Sequence, residues 1–406
     1  MGIKAYQIWL GGQAVDESFY GDVVSLTVEE STSAAGSFTL RLASRLLDDG
    51  SWAYLDHRNL TLFTEVTIQI GFMSAGGLAG AIESLLGGSS GDTNLHTVFK
   101  GYITAFRFQM GGDPRGSSVE INGMDASILM SLEEKIASWP NLSDSDIARQ
   151  IVGGYRIPIT ADDTSPKHQE EDYTVAQRAT DLQFLRDLAR RNGLEFYVES
   201  DDRGKVTAYF RAPQLDGTPQ ADLAAHFSHE TNLKSFSAHM NGLRPLNVKM
   251  QQLDIKANTS NKSTIGSMTL TKLGKSQVDE LISGPLGGLV APKEALAQTL
   301  VLGPPTSDST ELNTIAQAVR NESAWFIDAV GEINNDAYQG VLRARRTVLV
   351  KGAGHAFSGK YYVTKVTHQV RADGSYSQSF EARRNARGVD NTERFGVSAG
   401  RLAPGS

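Results

Sequence analysis

His226-Phe227-Ser228-His229-Glu230 is the grouping of side chains that comes nearest to a metal site. An H-x-x-H pair on a helix turns both imidazoles to one face, but a metalloprotease zinc needs H-E-x-x-H, with the glutamate inside as general base. Here Glu230 lies outside the pair and the segment reads as strand or loop, so no metal is expected. Gly352-Ala353-Gly354-His355 has the glycines of a phosphate loop but lacks the Gly-Lys-Ser/Thr ending and a following helix. It reads as a turn between strands. No G-x-S-x-G occurs, and no serine has a nearby His–Asp arrangement that would activate it. Carboxylates are numerous enough for a paired-carboxylate hydrolase, yet no glutamate sits in a lysozyme-like segment. His368 reads as a strand residue. There is no cysteine, which removes thiol nucleophiles, disulfides and cysteine-ligated metals together. No catalytic, cofactor-binding or metal-binding residue is expected, and no cofactor.

The elements around these residues are better defined than any chemistry. Thr180 to Phe210 reads as a capped amphipathic helix followed by a hairpin. Thr180 and Gln183 form a capping box, and Leu182, Leu185, Leu188 and Ala189 recur on one helical face. Arg186, Asp187, Arg190 and Arg191 fall on the other face, and Gly193 supplies the left-handed stop. Leu194–Glu199 then reads as a strand, Asp201–Gly204 as a turn and Lys205–Phe210 as the return strand. Upstream, Ser143 to Asp146 cap a short helix over Ile147–Val152 that Gly153-Gly154 ends. Residues 162–172 read as an acidic, solvated loop.

Alternating apolar and polar residues mark Val23–Glu29, Ser37–Leu42, Glu65–Gly71 and Leu246–Leu253 as strands. The 40 glycines, above the usual share of roughly 7%, suit many turns between strands. Tyr102 to Gln109 (YITAFRFQ) matches Tyr362 to Gln369 (YVTKVTHQ) at a constant offset of 260, and each is followed by a turn and another strand. Such an echo is what a duplicated barrel leaves behind. The expected fold class is therefore mainly β with α+β elements: two related β-barrel domains with an intervening α/β portion. The expected domains are an N-terminal barrel over 1–128, an α/β brace over 129–224, a C-terminal barrel over 225–387 and a flexible tail over 388–406. Residues 73–97 would form a loop on the first barrel. Gly- and Ser-rich apart from Leu78, Ile82, Leu85 and Leu86, it reads either as mobile or as a docking loop that orders on a partner. Residues 255–340 would be an insertion in the second barrel, polar and mobile at its start (NTSNKSTIGS). It would end in a helix from Glu311 that carries Leu312, Ile315, Ala316, Val319, Phe326, Ile327 and Val330 on one face and runs past Gly331, with Asp308 and Glu311 as its capping pair.

Two blocks carry a resemblance. Asp181-Leu182-Gln183-Phe184-Leu185-Arg186 running into Leu194-Glu195-Phe196-Tyr197-Val198 resembles the late control gene D family, as do Ser358-Gly359-Lys360-Tyr361-Tyr362-Val363, His368 and Gly374-Ser375-Tyr376. That family comprises central hub proteins of contractile tails, related to the hub half of VgrG spike proteins. The resemblance implies a structural baseplate hub: a homotrimer whose paired barrels alternate around a ring and join the hexameric inner tube to a trimeric spike. It implies the inner tube protein, a separate spike protein and other baseplate and tape-measure proteins as partners, with assembly in the bacterial cytoplasm. The alternative in the same particle is a tip-delivered peptidoglycan hydrolase, which would have to lie within residues 255–340.

The charge pattern bears on such an assembly. The net charge is −7, yet residues 341–387 hold ten Lys and Arg against Asp373 and Glu381, while the first fifty residues hold seven carboxylates against three basic groups. Arg343, Arg345 and Arg346 are candidate assembly contacts, together with the apolar Leu78, Ile82, Leu85 and Leu86. A solvated or intersubunit face accounts for the basic strands better than nucleic acid does. The start, MGIKAYQIWLGGQ, lacks the long apolar run of a signal peptide, and no stretch approaches the roughly 18 apolar residues of a membrane span. No direct membrane anchoring is expected.

Overall fold

Residues 3–55, 60–73, 93–112, 116–171, 174–244, 247–254, 259–286, 298–301 and 309–389 are described by a computed structural model. The strands in the first part of the chain are β1 (Ile3–Leu10), β2 (Gln13–Ala14), β3 (Val23–Ser31), β4 (Ser37–Ser44), β5 (Glu65–Met73), β6 (Thr93–Gln109) and β7 (Ser117–Asp125). The middle holds β8 (Glu134–Trp139), β9 (Ile159–Ala161), β10 (Val175–Thr180), β11 (Glu195–Ser200), β12 (Val206–Arg211) and β13 (Gln220–Ala224). There follow β14 (Leu233–Met240), β15 (Asn247–Asp254), β16 (Thr259–Ile265), β17 (Gln298–Val301), β18 (Ile327–Ile333), β19 (Thr347–Lys351), β20 (Gly359–Arg371) and β21 (Tyr376–Arg384).

The protein is mainly β, and its largest sheet has 13 strands in the order β14-β18-β21-β20-β3-β4-β7-β6-β5-β1-β2, with β19 and β13 joined at β20. Two blocks within it share one plan: β3-β4-β7-β6-β5 and β14-β18-β21-β20-β19. The likeness reaches individual residues. In β6–β7 the ladder slips between Ile103 and Ala105, and in β20–β21 it slips between Val363 and Lys365. At each slip a threonine hydroxyl donates across the ladder, Thr104 to the Asn122 carbonyl at 3.3 Å and Thr364 to the Glu381 carbonyl at 3.2 Å. A second pair of matched bulges follows Val23 in β3 and Leu233 in β14. Bulges bend and twist a strand locally, so the two blocks share curvature as well as order. Each has its own core, one around Ile8, Leu26, Leu40, Ile68 and Ile121 and the other around Phe326, Val348, Tyr361 and Phe380.

A third core forms the brace, where helices Asp144–Gly154 and Asp181–Arg191 pack with β11 and β12 around Ile147, Leu185, Leu188 and Phe210. The local signals act as expected. Ser143 accepts from the Asp146 N–H at 3.2 Å, Thr180 accepts from the Gln183 N–H at 3.3 Å, and Gly193 follows the helix at φ +71°. Buried Leu182, Leu185, Leu188 and Ala189 form the inward stripe.

Several expectations need correction. The helix that was to carry Phe326, Ile327 and Val330 spans Ser309–Ser323, and Ile327–Ile333 is β18, seated between β14 and β21 in the main sheet. Part of the expected insertion is thus integral to the second block. Helical period and strand alternation both fit that stretch, and only the two neighbouring ladders decide between them. The polar start of the insertion is β16, hydrogen-bonded along β15. Thr93 to Thr97, expected in the loop, open β6 and continue the ladder with β5. A short helix, Gly354–Phe357, follows Gly352-Ala353, where only a turn was expected. His226 to Glu230 is irregular backbone ending in a 3-10 turn over Ser228–Glu230. Leu78, Ile82, Leu85, Leu86, Asp308 and residues 390–406 lie outside the described residues.

Candidate functional site: the seam between the two blocks

Antiparallel pairing of β20 with β3, from Lys365 opposite Ser31 to Arg371 opposite Ser25, joins the blocks into one sheet. The acidic first part and basic last part of the chain meet along this seam. Glu30 is buried and accepts from Arg343 Nε at 2.5 Å and from the Ala344 N–H at 2.9 Å. Arg343 also lies 3.3 Å from Glu199, a strand β11 residue that takes a 2.9 Å contact from Arg346. Burial opposes the charge on Arg343, but Glu30 and Glu199 outweigh it and raise the guanidinium pKa. Arg345 donates to the Ser31 carbonyl at 2.6 Å and stacks its guanidinium 4.4 Å over the Tyr197 ring. Lys365 pairs with Glu29 at 3.2 Å.

Of the three arginines singled out from the sequence, Arg343 and Arg345 are therefore buried inside the chain and held by its own groups. Arg346 remains 46% exposed at its side chain. Where the brace meets the second block, Glu195 of β11 accepts from the Tyr362 hydroxyl of β20 at 2.6 Å, and burial raises the pKa of both groups. His368 is fully buried, with Nδ1 2.8 Å from the Tyr376 hydroxyl, and burial followed by the nearby Arg343 charge lowers its pKa to about 3. A neutral imidazole hydrogen-bonded in a closed core is a packing element.

A second buried charge cluster escaped sequence reasoning. Asp144, at the start of its helix, accepts bidentate bonds from Arg191, a bond from Asn192 Nδ2 at 2.5 Å, and lies 3.0 Å from His168 Nε2. Glu311, on the helix Ser309–Ser323, completes it at 3.5 Å from Arg191 and 3.8 Å from His168 Nδ1. Burial works against the Asp144 charge, but its hydrogen bonds from His168 and Arg191 prevail and bring the carboxyl to about 2. Asp144, His168 and Glu311 are nearly sealed from solvent. Their carboxylate–imidazole contact cannot meet a substrate, and it fastens the late helix onto the brace. Loop residue His168 sits in an otherwise acidic, polar stretch, so nothing local signalled its burial.

The H-x-x-H pair behaves similarly. Glu230 does not join its histidines at a metal; its carboxylate lies 3.3 Å from Lys351, which also contacts Asp222 at 2.7 Å. Among the described residues no three His, Asp or Glu side chains gather as a metal site, and no helix is long and apolar enough to cross a membrane.

The family model described as the Alg8 N-terminal domain matches residues 82–372. No curated protein matches the sequence significantly. Among solved structures, the chain is similar to a 43 kDa tail protein of prophage MuSo2 from Shewanella oneidensis, at 12% identity and TM-score 0.62 over 94% of this chain and 98% of that one. A tail protein from Neisseria meningitidis aligns at 11% identity and TM-score 0.61, over 94% and 97% of the two chains. An Escherichia coli component of the type VI secretion system, described as structurally similar to bacteriophage T4 tail proteins, aligns at 14% identity and TM-score 0.50, over 89% and 73%. The fold is that of tail proteins.

Proposed function

The chain belongs to the Alg8 N-terminal domain family, and from its tail-protein fold we propose that it is the structural central hub of a contractile injection particle. Three copies form a ring that joins a hexameric inner tube on one face to a trimeric spike on the other. The observation that carries this reading is the duplication. One chain holds two blocks of the same strand order and the same bulges, so three copies present six similar blocks to a sixfold tube while remaining threefold toward the spike. The likeness to late control gene D proteins supports the same reading, as does the place of the charged residues. Within the chain, carboxylates of the first block meet basic groups of the second where the two blocks adjoin, as in Glu30–Arg343 and Glu29–Lys365.

Arg346 is the arginine of the triplet left to meet a neighbouring copy. The apolar Leu78, Ile82, Leu85 and Leu86 are proposed contacts to another baseplate or tape-measure protein. The chain is non-catalytic in this reading, and it is built into its particle in the bacterial cytoplasm.

The test is the mass of the full-length protein in solution, followed by a cryo-EM map of the particle that contains it. Three copies with unlike blocks alternating are expected. A ring with like blocks adjacent would overturn the proposal, and so would clearing of a peptidoglycan suspension by the purified protein.

A further inference from the structure

The two blocks and the brace meet around a small cavity of about 20 Å³. Glu30 and Asp125 line it from the first block, Glu199 from β11 of the brace, and Arg343 and Arg345 from the segment entering β19. Glu30, Asp125, Arg343 and Arg345 are 4%, 7%, 6% and 4% exposed, so bulk solvent does not serve their polar atoms. Charged walls set this space apart, because a cavity that stays empty inside a protein is ordinarily apolar.

Several of these wall groups have protein partners. Arg343 serves Glu30 and Glu199, and Asp125 accepts from the Gly36 N–H at 2.5 Å and the Ser127 N–H at 2.9 Å. Arg345 is only partly matched. Its Nη2 donates to the Ser31 carbonyl and its guanidinium face rests on Tyr197, but its Nε is sealed from solvent and bonds to no described residue. A buried donor left unmatched carries the whole cost of its desolvation. The side chain is fixed at both ends: Ser31 and Tyr197 hold the guanidinium, and the Arg345 N–H donates to the Val363 carbonyl at 2.8 Å. The backbone between them is left-handed at φ +63°, which a non-glycine residue keeps only where its surroundings over-determine it.

We propose that one ordered water molecule occupies this cavity, accepts a hydrogen bond from Arg345 Nε and donates to carboxylates of the wall. Size and chemistry select it together. Room of about 10–15 Å³ is enough for a single water, and the cavity offers little more. A chloride ion could accept from Nε but would face Glu30, Asp125 and Glu199. A sodium ion would suit those carboxylates but meet two guanidinium groups. Water accepts on one side and donates on the other. Each carboxylate oxygen has two lone pairs, so Glu30 and Asp125 keep capacity beyond the donors they already hold. The molecule then joins the first block, the brace and the segment entering β19 in one hydrogen-bonded network. That network lies within a single chain, so it does not depend on how many copies assemble.

The test is a crystal structure of the full-length protein at a resolution that shows ordered waters, with a second crystal soaked in bromide. A density peak about 2.7–3.2 Å from both Arg345 Nε and a wall carboxylate is expected, with no anomalous signal after the soak. An anomalous bromide peak at that position assigns the site to a halide and overturns the proposal. So does a cavity without a peak, or an Nε bonded directly to a protein oxygen. Val206→Ile gives an independent reading, because Val206 lines the cavity and the substitution adds one methyl group. Displacing a bridging water strands Nε, so the peak is expected to vanish and the melting temperature to fall. A higher melting temperature is the response of a dry void to filling, and it overturns the proposal.

Discussion

The Glu30 carboxylate accepts a 2.5 Å hydrogen bond from Nε of Arg343, 313 positions further along the chain. Its other oxygen holds the Ala344 N–H, so the first block is tied to the segment entering β19 by side chain and backbone together. The pair lies beneath the β3–β20 ladder and is closed to solvent. Arg343→Met leaves the buried Glu30 without its cation and removes one of the two that Glu199 contacts, and a loss of about 3–5 kcal/mol in unfolding free energy is expected. Glu30→Leu added to Arg343→Met should recover part of that loss, because the second substitution removes a stranded charge. Denaturant unfolding of the two variants beside wild type reads this directly, and a double variant less stable than the single one would contradict it.

His368 predicts an acid limb in the stability curve. Its folded pKa, about 3, lies below the ordinary 6.5. Between those values the unfolded chain takes up a proton that the buried imidazole refuses. Stability is therefore unaffected above pH 6.5 and falls as pH drops below it, by about 1.4 kcal/mol per pH unit from this group. His368→Gln keeps a polar head beside Tyr376 without a titrating ring, and should flatten that limb in thermal melts between pH 6.5 and 4. An unchanged slope would remove His368 as its source.

Arg191 is the cation that Asp144 and Glu311 share. Arg191→Met should cost about 3–5 kcal/mol where the cluster is buried, and the damage should be local first. Amide hydrogen exchange in the helix Ser309–Ser323 is expected to rise more than exchange in β3 or β20, because Glu311 is the residue that fastens that helix to the brace. Equal rises across the protein would mean that the cluster supports the whole fold.

Two glycines with positive φ should respond differently to alanine. Gly359, at φ +131°, has no room for a methyl group: an added Cβ would come within 2.3 Å of the buried Arg384 guanidinium, which bonds the carbonyls of Leu273, Ser358 and Gly388. Gly354, at φ +70°, has nothing within 4 Å of that position. Gly354→Ala should cost about 1–2 kcal/mol, the left-handed backbone penalty alone. Gly359→Ala adds a steric clash and is expected to abolish soluble expression or to lower the melting temperature by a clearly larger amount.

What sequence reasoning reached was decided by neighbours. Thr180, Gln183 and Gly193 mark their helix because capping and left-handed stops act within a turn of the chain. The echo between Tyr102–Gln109 and Tyr362–Gln369 was legible because duplicated hairpins keep their spacing, and the matched bulges at Thr104 and Thr364 give it a physical basis. The absence of cysteine excluded thiol chemistry without any structure.

Tertiary structure decided what depends on distant partners. Ile327–Ile333 fits a helical stripe as well as a strand, and becomes β18 because β14 and β21 flank it. The polar β16 is a strand only against β15. Arg343 and Arg345 looked like surface charge, yet Glu30, Ser31, Glu199 and Tyr197 wait for them hundreds or scores of residues away. His168 gave no sign of burial until Asp144 and Arg191 enclosed it. Local propensity and periodicity are written in adjacent residues, so the sequence alone determined the caps, the turns and the repeat. Burial and charge pairing are properties of surfaces that meet, and those surfaces exist only once the chain has folded.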